Sequence, residues 1–377
     1  MSIVKEPSGS LLTHFASLED PRTAYLVAHP LLDIIALTIC AVICGAETWE
    51  EIEAYGHSKS QWLQTFLELP HGIPSHDTIS RVFALLEPTQ LQECFVSWVK
   101  SIAELSLGEV ISLDGKSARR SYDKGKGKGA IHMVSAWASA NQLVLGQVKV
   151  SDKSNEITAI PKLLNILDVS GCIVTIDAMG TQTEIAKQII DQEADYVLSL
   201  KGNQGNLHED VKQLFDWARK TNFKNIEHEA YQTIEKGHGR IEIRRYWLLE
   251  QVEHLENAER WKGLKRVGMV ESERRMDGHP PSIEQRYYLV SLDGGVERFA
   301  HATRGHWGIE NKLHWSLDVV FHEDDSRIRK GHAPENMTVI RKIALNLLAK
   351  ESSRGSKKAK RLKAGWDNDF LVQVLMA

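Results

Sequence analysis

Two features that would narrow this sequence's class quickly are missing: a long apolar run and a surplus of positive charge. The longest apolar stretch, LLDIIALTICAVICGA (31–46), contains Asp33 and falls short of the roughly 20 residues a membrane-spanning helix needs. It reads as a buried helix, and no membrane partner is expected. Cysteine is scarce, with four residues, Cys40, Cys44, Cys94 and Cys172, all in apolar surroundings. Cys40 and Cys44 can share one helix face, but no second pair has zinc-ligand spacing, so reduced buried thiols are expected. The opening residues, MSIVKEPSGS, show no basic stretch leading into an apolar one, and a cytoplasmic, nucleoid-associated location is expected. With 46 Lys and Arg against 50 Asp and Glu, the net charge of −4 excludes a uniformly basic nucleic-acid coat. The hydrophobic share of 42% is that of a globular protein, and 377 residues suit two or three domains.

The charge that is present is uneven. GKSARRSYDKGKGKGA (115–130) carries Lys116, Arg119, Arg120, Lys124, Lys126 and Lys128 against one acid, Asp123. SRGSKKAKRLKAG (353–365) carries six more basic residues and no acid. Such segments on a near-neutral protein suit either contact with a phosphate backbone or plain solvated surface.

Periodicity divides the chain. Residues 1–105 read as a helical domain. Within it, GIPSHDTISRVFALLEP has Ser75 or Asp77 placed to cap a helix whose apolar face is Ile79, Val82, Phe83 and Leu86. That helix follows a turn and another helix, so a helix-turn-helix and an ordinary helical hairpin both fit. From 108 the texture turns to strands: VISLD, then IHMVSAWASA and QLVLGQVKV joined at Ala140-Asn141. SNEITAIPKLLNIL follows as a helix starting near Ser154 or Asn155, then strand CIVTID, helix TQTEIAKQIIDQEA and strand DYVLSLKG. A hairpin followed by βαβ units gives a mixed sheet with helices on its faces, an α/β class. Residues 106–350 are assigned to this domain, with a β-rich insertion at about 202–296. Residues 351–377 are assigned to a basic C-terminal tail.

Two strands end on an aspartate: Val110–Leu113 runs into Asp114, and Cys172–Ile176 runs into Asp177. In a ribonuclease-H-like sheet those strands are neighbours, so the two carboxylates converge. Close like charges repel unless a cation lies between them, and hard oxygen ligands favour Mg²⁺ or Mn²⁺. Two such ions roughly 3.5–4 Å apart can drive an in-line phosphoryl displacement. Taken singly, each aspartate also fits the cap of a turn or helix. HATRGHWGIENKLHWSLDVVFHEDDSR (301–327) offers the third acid. In it His306, Glu310 and His314 share a face at four-residue spacing, with Trp307 and Trp315 beside them. Asp318, Glu323, Asp324 and Asp325 are competitors, and a satisfied polar face is the plainer reading. The zinc motif HExxH is absent.

ISLDGKSARRS, VTIDAMGTQTEIA, ADYVLSLKGNQ and HWGIENKLHWSLDVVFHEDDSR together resemble the insertion-sequence DDE transposases, in the branch of H-repeat-associated proteins. DPR (20–22) and HPLLDIIAL (29–37) resemble that branch's associated helical domain. The resemblance covers nearly the whole chain. It implies a ribonuclease-H-like domain that binds two Mg²⁺ (or Mn²⁺) ions and cuts and rejoins DNA at transposon ends, in a homodimer or larger synaptic complex. By motif position the acids are Asp114, Asp177 and Glu310. Related transposases carry a tyrosine, an arginine and a lysine around the glutamate where this chain has Thr303, His306 and Leu317, so the DNA-end contacts depart from the pattern more than the metal site does. Lys116, Arg119, Arg120, Lys201, Arg304, His306 and Lys312 are the expected DNA contacts, and Trp307 or Trp315 can stack on a base or simply pack. A metal-dependent nuclease without joining, a silent DNA-binding remnant and a glycosidase-like carboxylate pair are the alternatives.

Overall fold

Asp33, the one charge in the apolar run, is accommodated by a single bond. Its Oδ2 accepts from the Leu69 amide at 2.8 Å, and the rest of the run forms a helix buried on every side. In the computed structural model, which describes residues 9–122, 129–151, 155–237 and 239–377, this helix belongs to an N-terminal set. The set comprises α1 (Gly9–Phe15), α2 (Leu31–Ile43), α3 (Trp49–Ser58), α4 (Ser60–Leu63), α5 (His76–Leu85) and α6 (Pro88–Ile102). Thr48 and Glu51 form a capping box at the start of α3, and Ser75 Oγ accepts from Thr78 N at the start of α5. Ile79, Val82 and Phe83 are buried and Arg81 is exposed, as the pattern requires.

The sheet follows. It comprises β1 (Val110–Ser117), β2 (His132–Ala138), β3 (Leu143–Lys149), β4 (Ile173–Ile176) and β5 (Asp195–Leu200). After these come β6 (His228–Gly237), β7 (Arg240–Leu249), β8 (Arg266–Met276) and β9 (Ser282–Val290). They join in one nine-stranded sheet of order β3-β2-β1-β4-β5-β9-β8-β7-β6. β1, β4 and β5 are parallel, and every other pairing is antiparallel. Helices α7 (Glu156–Ile166) and α8 (Thr183–Asp191) follow β3 and β4, and α7 packs on β2 and β3. Helix α10 (Val296–Gly308) crosses β1, β4 and β5 and also meets β6 and β7. Both faces of the central strands are buried, so these strands read as near-continuous apolar runs. Val110, Ile173 and Val197 pack with Phe299 of α10, while Ile111, Val174 and Leu198 belong to the larger core. Gly305 lets α10 lie close to the sheet, since a Cβ there would meet Val110 Cγ1 at 2.8 Å.

Two expectations change. The segment from 202 does not turn directly to strands, because Leu207, Val211, Phe215 and Ala218 recur at helical spacing and are buried in α9 (Asn206–Lys220). The strands after it extend the same sheet, with β9 pairing to β5. The final segment is not a tail. After α11 (Trp315–Val319) and the long buried α12 (Ala333–Lys350), it forms α13 (Lys357–Trp366) and α14 (Asn368–Leu375). Arg361 is buried there and donates to Val42 O at 2.9 Å, while Lys360 is buried against the chain end of α12 and bonds Leu348 O at 3.2 Å. Apolar Ala364, Phe370 and Leu371 supplied the burial that a count of basic residues concealed. Lys124, Lys126, Lys128, Asp123 and Ser154 lie outside the described residues.

Helix α12 fastens the N-terminal helices to the sheet. Asn336, fully buried, donates through Nδ2 to Phe83 O and Leu86 O, both at 2.9 Å. On the other side, Asn346 exchanges bonds with Val144 of β3 at 2.9 Å each way. Replacing Asn336 by Ala strands two buried carbonyls, and we expect a loss of about 2 kcal/mol in chemical denaturation with a lowered midpoint.

Candidate active site

Leu113 pairs with Ile176 at the end of the parallel ladder between β1 and β4, so the next residues, Asp114 and Asp177, stand at the same level just past that ladder, Asp177 after its strand and Asp114 within a β1 that runs on to Ser117. Their parity puts them on the sheet face that α10 covers. There Ser112 Oγ donates to Gly305 O at 3.3 Å, and Thr175 Oγ1 donates to Ser112 Oγ at 3.1 Å. Burial raises Asp114 from 3.8 to about 7, and the charges of Glu156, Asp177 and Glu310 push in the same direction against a lowering bond from the Gly115 amide. Asp177 Oδ1 accepts from the amides of Met179 at 3.1 Å and Gly180 at 3.2 Å, so this carboxylate also shapes the turn that follows it.

The third acid stands on an interrupted helix. Between α10 and α11, residues Ile309–His314 form a π turn, and Glu310 lies in it, exposed. Such widened turns recur at functional sites because they re-aim side chains off the regular helical face. His306 and His314 instead face the sheet. His306 Nδ1 is 3.0 Å from Thr175 Oγ1, and burial with Arg286 nearby pushes its ring down to about 4. His314 Nδ1 is 3.6 Å from Asp114 Oδ2, and burial among Lys342, Lys116 and His132 pushes it to about 3. Both rings are therefore neutral near pH 7. Among the described residues, no three His, Cys, Asp or Glu side chains stand close enough to share one ion.

The competing acids are occupied. Lys116 Nζ lies 2.7 Å from Asp318 Oδ1, 3.3 Å from Glu323 Oε2 and 3.1 Å from Asp324 Oδ1, with its side chain only 11% exposed. Arg119 pairs with Asp324 at 3.1 Å and Arg120 with Asp325 at 3.0 Å. Glu310 is thus the acid of this segment with no ion pair among the described residues.

Several of the expected DNA contacts hold ion pairs or hydrogen bonds in the structure. Lys116 is caged, Arg119 and Arg120 are ion-paired, and Arg304 grips both oxygens of Glu235 at 3.1 and 3.2 Å. His306 is turned to Thr175 and uncharged. Lys201, just after β5, and Lys312, in the π turn, are exposed and, among the described residues, have no carboxylate partner. Trp315 is 55% exposed rather than core, and Trp307 lies half-buried with the Arg286 guanidinium 4.4 Å from its ring centre.

Sequence reasoning missed three groups. Glu156 and His132 pair behind β1 at 2.7 Å. Lys342 is fully buried in α12, where it donates to Ser135 Oγ at 2.8 Å and to Gln147 Oε1, and burial lowers it to about 8. The one available signal for Lys342 was a charge inside the apolar run VIRKIALNLL. Glu156 gave none, being an ordinary first-turn acid.

Comparison with known proteins identifies the family. Residues 105–347 match the family model described as transposase DDE domain, and residues 12–99 match the DDE_Tnp_1-associated domain. The chain is similar to the "H repeat-associated putative transposase YhhI" of Escherichia coli strain K12, at 43% identity over 97% of each chain. It is also similar to "Inactive transposase YbfQ" of the same strain, at 49% identity over 19% of this chain and 86% of that one. Among solved structures, a chain of the piggyBac transposase synaptic complex with hairpin DNA is similar at TM-score 0.42 and 11% identity. That match covers 100% of this chain and 83% of that one, too distant to argue from.

Proposed function

We propose, from the premise that this chain belongs to the insertion-sequence DDE transposase family in its H repeat-associated branch, that it cuts DNA at the ends of a mobile element and joins the freed 3′-hydroxyl to target DNA. One observation carries the reading: Asp114 and Asp177 stand side by side, each one residue past the paired end of the parallel ladder between β1 and β4. The order β3-β2-β1-β4-β5, with β1, β4 and β5 parallel, supports a ribonuclease-H-like catalytic unit. We assign 106–350 to that unit, with β6–β9 and α9 as its insertion.

The donor set fits Mg²⁺ or Mn²⁺. A buried carboxyl raised by three neighbouring acids is short of positive charge, and all three proposed donors are hard carboxylate oxygens. Asp114, Asp177 and Glu310 would hold the ions, which supply Lewis-acid stabilisation of the attacking and leaving oxygens. The protein's own residues prepare the site. The neutral rings of His306 and His314 close the sheet side of the crevice without adding a competing cation. Lys201 and Lys312, which flank the acids, take the DNA phosphates. In cleavage, a water oxygen bonds to phosphorus and the 3′ oxygen leaves. In joining, that 3′ oxygen bonds to a target phosphorus and the target's own 3′ oxygen leaves. No covalent protein intermediate forms, so no nucleophilic side chain is required. Pairing two ends calls for a homodimer or larger complex.

The test is an assay on DNA flanking the gene, with Mg²⁺ or Mn²⁺ supplied. Nicks at defined ends together with joined products are expected. Nicking without joining would reduce the activity to a nuclease, and salt-sensitive binding without cleavage would leave a DNA-binding remnant. Lys201→Ala and Lys312→Ala are each expected to flatten the salt dependence of DNA binding by about one unit of slope without shifting the melting temperature.

A further inference from the structure

The end of β1 is held along one edge only. Up to Leu113 it is bonded to β2 and to β4, but from Asp114 to Ser117 only the β2 ladder continues. This divergence opens the crevice beside the acids, and it leaves Asp114 on a segment with a missing neighbour. Behind that segment, on the face opposite the Asp114 side chain, His132 Nε2 lies 2.7 Å from Glu156 Oε1, and His132 Nδ1 lies 2.8 Å from Ser117 Oγ. The pair crosses the strand at Gly115. A Cβ there would fall 2.0 Å from Glu156 Oε1 and 2.5 Å from His132 Nε2. Gly115 is not among the positive-φ glycines, so the arrangement uses its missing side chain rather than its backbone freedom. The Glu156 side chain is 13% exposed, which places a second, poorly hydrated acid behind the first.

We propose that the His132–Glu156 pair is a positioning brace for Asp114, wedged across Gly115 where the β4 ladder has ended, and that the charge of Glu156 raises the site's demand for a divalent cation. This rests on the reading of Asp114 as a metal ligand given above. Neither residue touches DNA or ion in this account. Both act through Asp114, and the helix α7 that carries Glu156 is anchored independently by Ile160, Leu163 and Leu164 in the core.

The experiment uses the full chain as wild type, Glu156→Gln, Glu156→Ala and Gly115→Ala, with Mn²⁺ alone as the probe. Two readouts are taken: the Mn²⁺ concentration that half-saturates the rise in melting temperature, and crystal structures of the variants. Glu156→Gln keeps an acceptor for His132, so Asp114 is expected to stay in place while half-saturation needs about tenfold more Mn²⁺. Glu156→Ala is expected to displace the Asp114 carboxyl and to raise the Mn²⁺ requirement roughly a hundredfold. Gly115→Ala should match Glu156→Ala. If it fails to fold, the comparison of Gln with Ala at 156 still decides. An Ala variant that leaves Asp114 in place, or a Gln variant that displaces it equally, overturns the brace. If Mn²⁺ raises the melting temperature of no protein, wild type included, the metal reading fails by itself. The crystallographic comparison then judges the brace alone by the same two outcomes.

Discussion

Asp114→Asn is expected to abolish end cleavage and, without divalent ions at pH 8, to melt at a higher temperature than the wild type. The first effect follows from losing a charged ligand. Metal stabilisation of the reacting oxygens is worth several kcal/mol, so roughly a thousandfold or more in rate should go. The second follows from linkage. The Asp114 carboxyl titrates at about 7 in the folded chain against 3.8 for the ordinary side chain. Its folded value is raised, so above pH 7 it is ionised in both states and its full penalty falls on the fold. Three pH units of difference correspond to on the order of 4 kcal/mol for a side chain with little access to water. Between about pH 7 and 4 the folded chain takes up a proton that the unfolded chain does not, and stability rises. Below about pH 4 the term vanishes. The wild type should therefore gain stability on acidification from pH 8 to 5, with the Asn variant lacking that component of the slope. Mn²⁺ added at pH 8 should stabilise the wild type and leave the variant nearly unmoved. Asparagine caps turns as well as aspartate does, so if Asp114 only shaped a turn, cleavage would survive the change.

The backbone frame of this site was open to reading from residues alone, and its electrostatics were not. The strand ending at Asp177 announces itself because an apolar run that stops on an acid and a turn has one simple geometry, whereas the expected end at Asp114 does not hold, since β1 runs on to Ser117 along the β2 ladder. The mixed sheet followed from the order of its elements. Glu310 was placed on a helix but not on a π turn, because the hydrogen-bond slip that creates such a turn leaves the sequence pattern almost unchanged. The partners of the basic residues were hidden for a different reason. Charge counting sees only neighbours along the chain. The carboxylates that neutralise Lys116, Arg119 and Arg120 come from residues 318–325, two hundred positions away. The brace at Gly115 was invisible for the same reason. His132, Glu156 and the glycine between them meet only once β1, β2 and α7 have packed.

Lys116 separates the two readings of those basic residues most sharply. If it served DNA, replacing it with Ala would weaken binding, lower the salt dependence by about one phosphate's worth and leave the fold untouched. The structure predicts the reverse. Lys116 Nζ is shared by Asp318, Glu323 and Asp324, and Glu323 is itself buried, with Arg341 no nearer than 3.9 Å. Removing one partner of a buried ionic group costs more than the pair contributes, because the remaining charge stays desolvated. Lys116→Ala should therefore cost about 3 kcal/mol, the lower end of the range because Asp318 and Asp324 keep some contact with water. A fall of roughly 4 °C in melting temperature is the corresponding signal for a chain of this size. The effect should shrink in acid, beginning as Asp318, whose carboxyl burial raises, takes up its proton. Lys116→Met, which keeps the volume, should be nearly as costly, since the bare acids remain. A matched change, Lys116→Met with Glu323→Gln, should recover part of the loss, and the shortfall from additivity measures the coupling. The same cage ties the end of β1 to α11 and the residues after it, and α11 continues directly from the π turn that carries Glu310. Cleavage by Lys116→Ala should therefore drop by far more than its DNA affinity. Unchanged melting with a reduced salt slope would return Lys116 to the DNA surface and remove this link between the first and third acids.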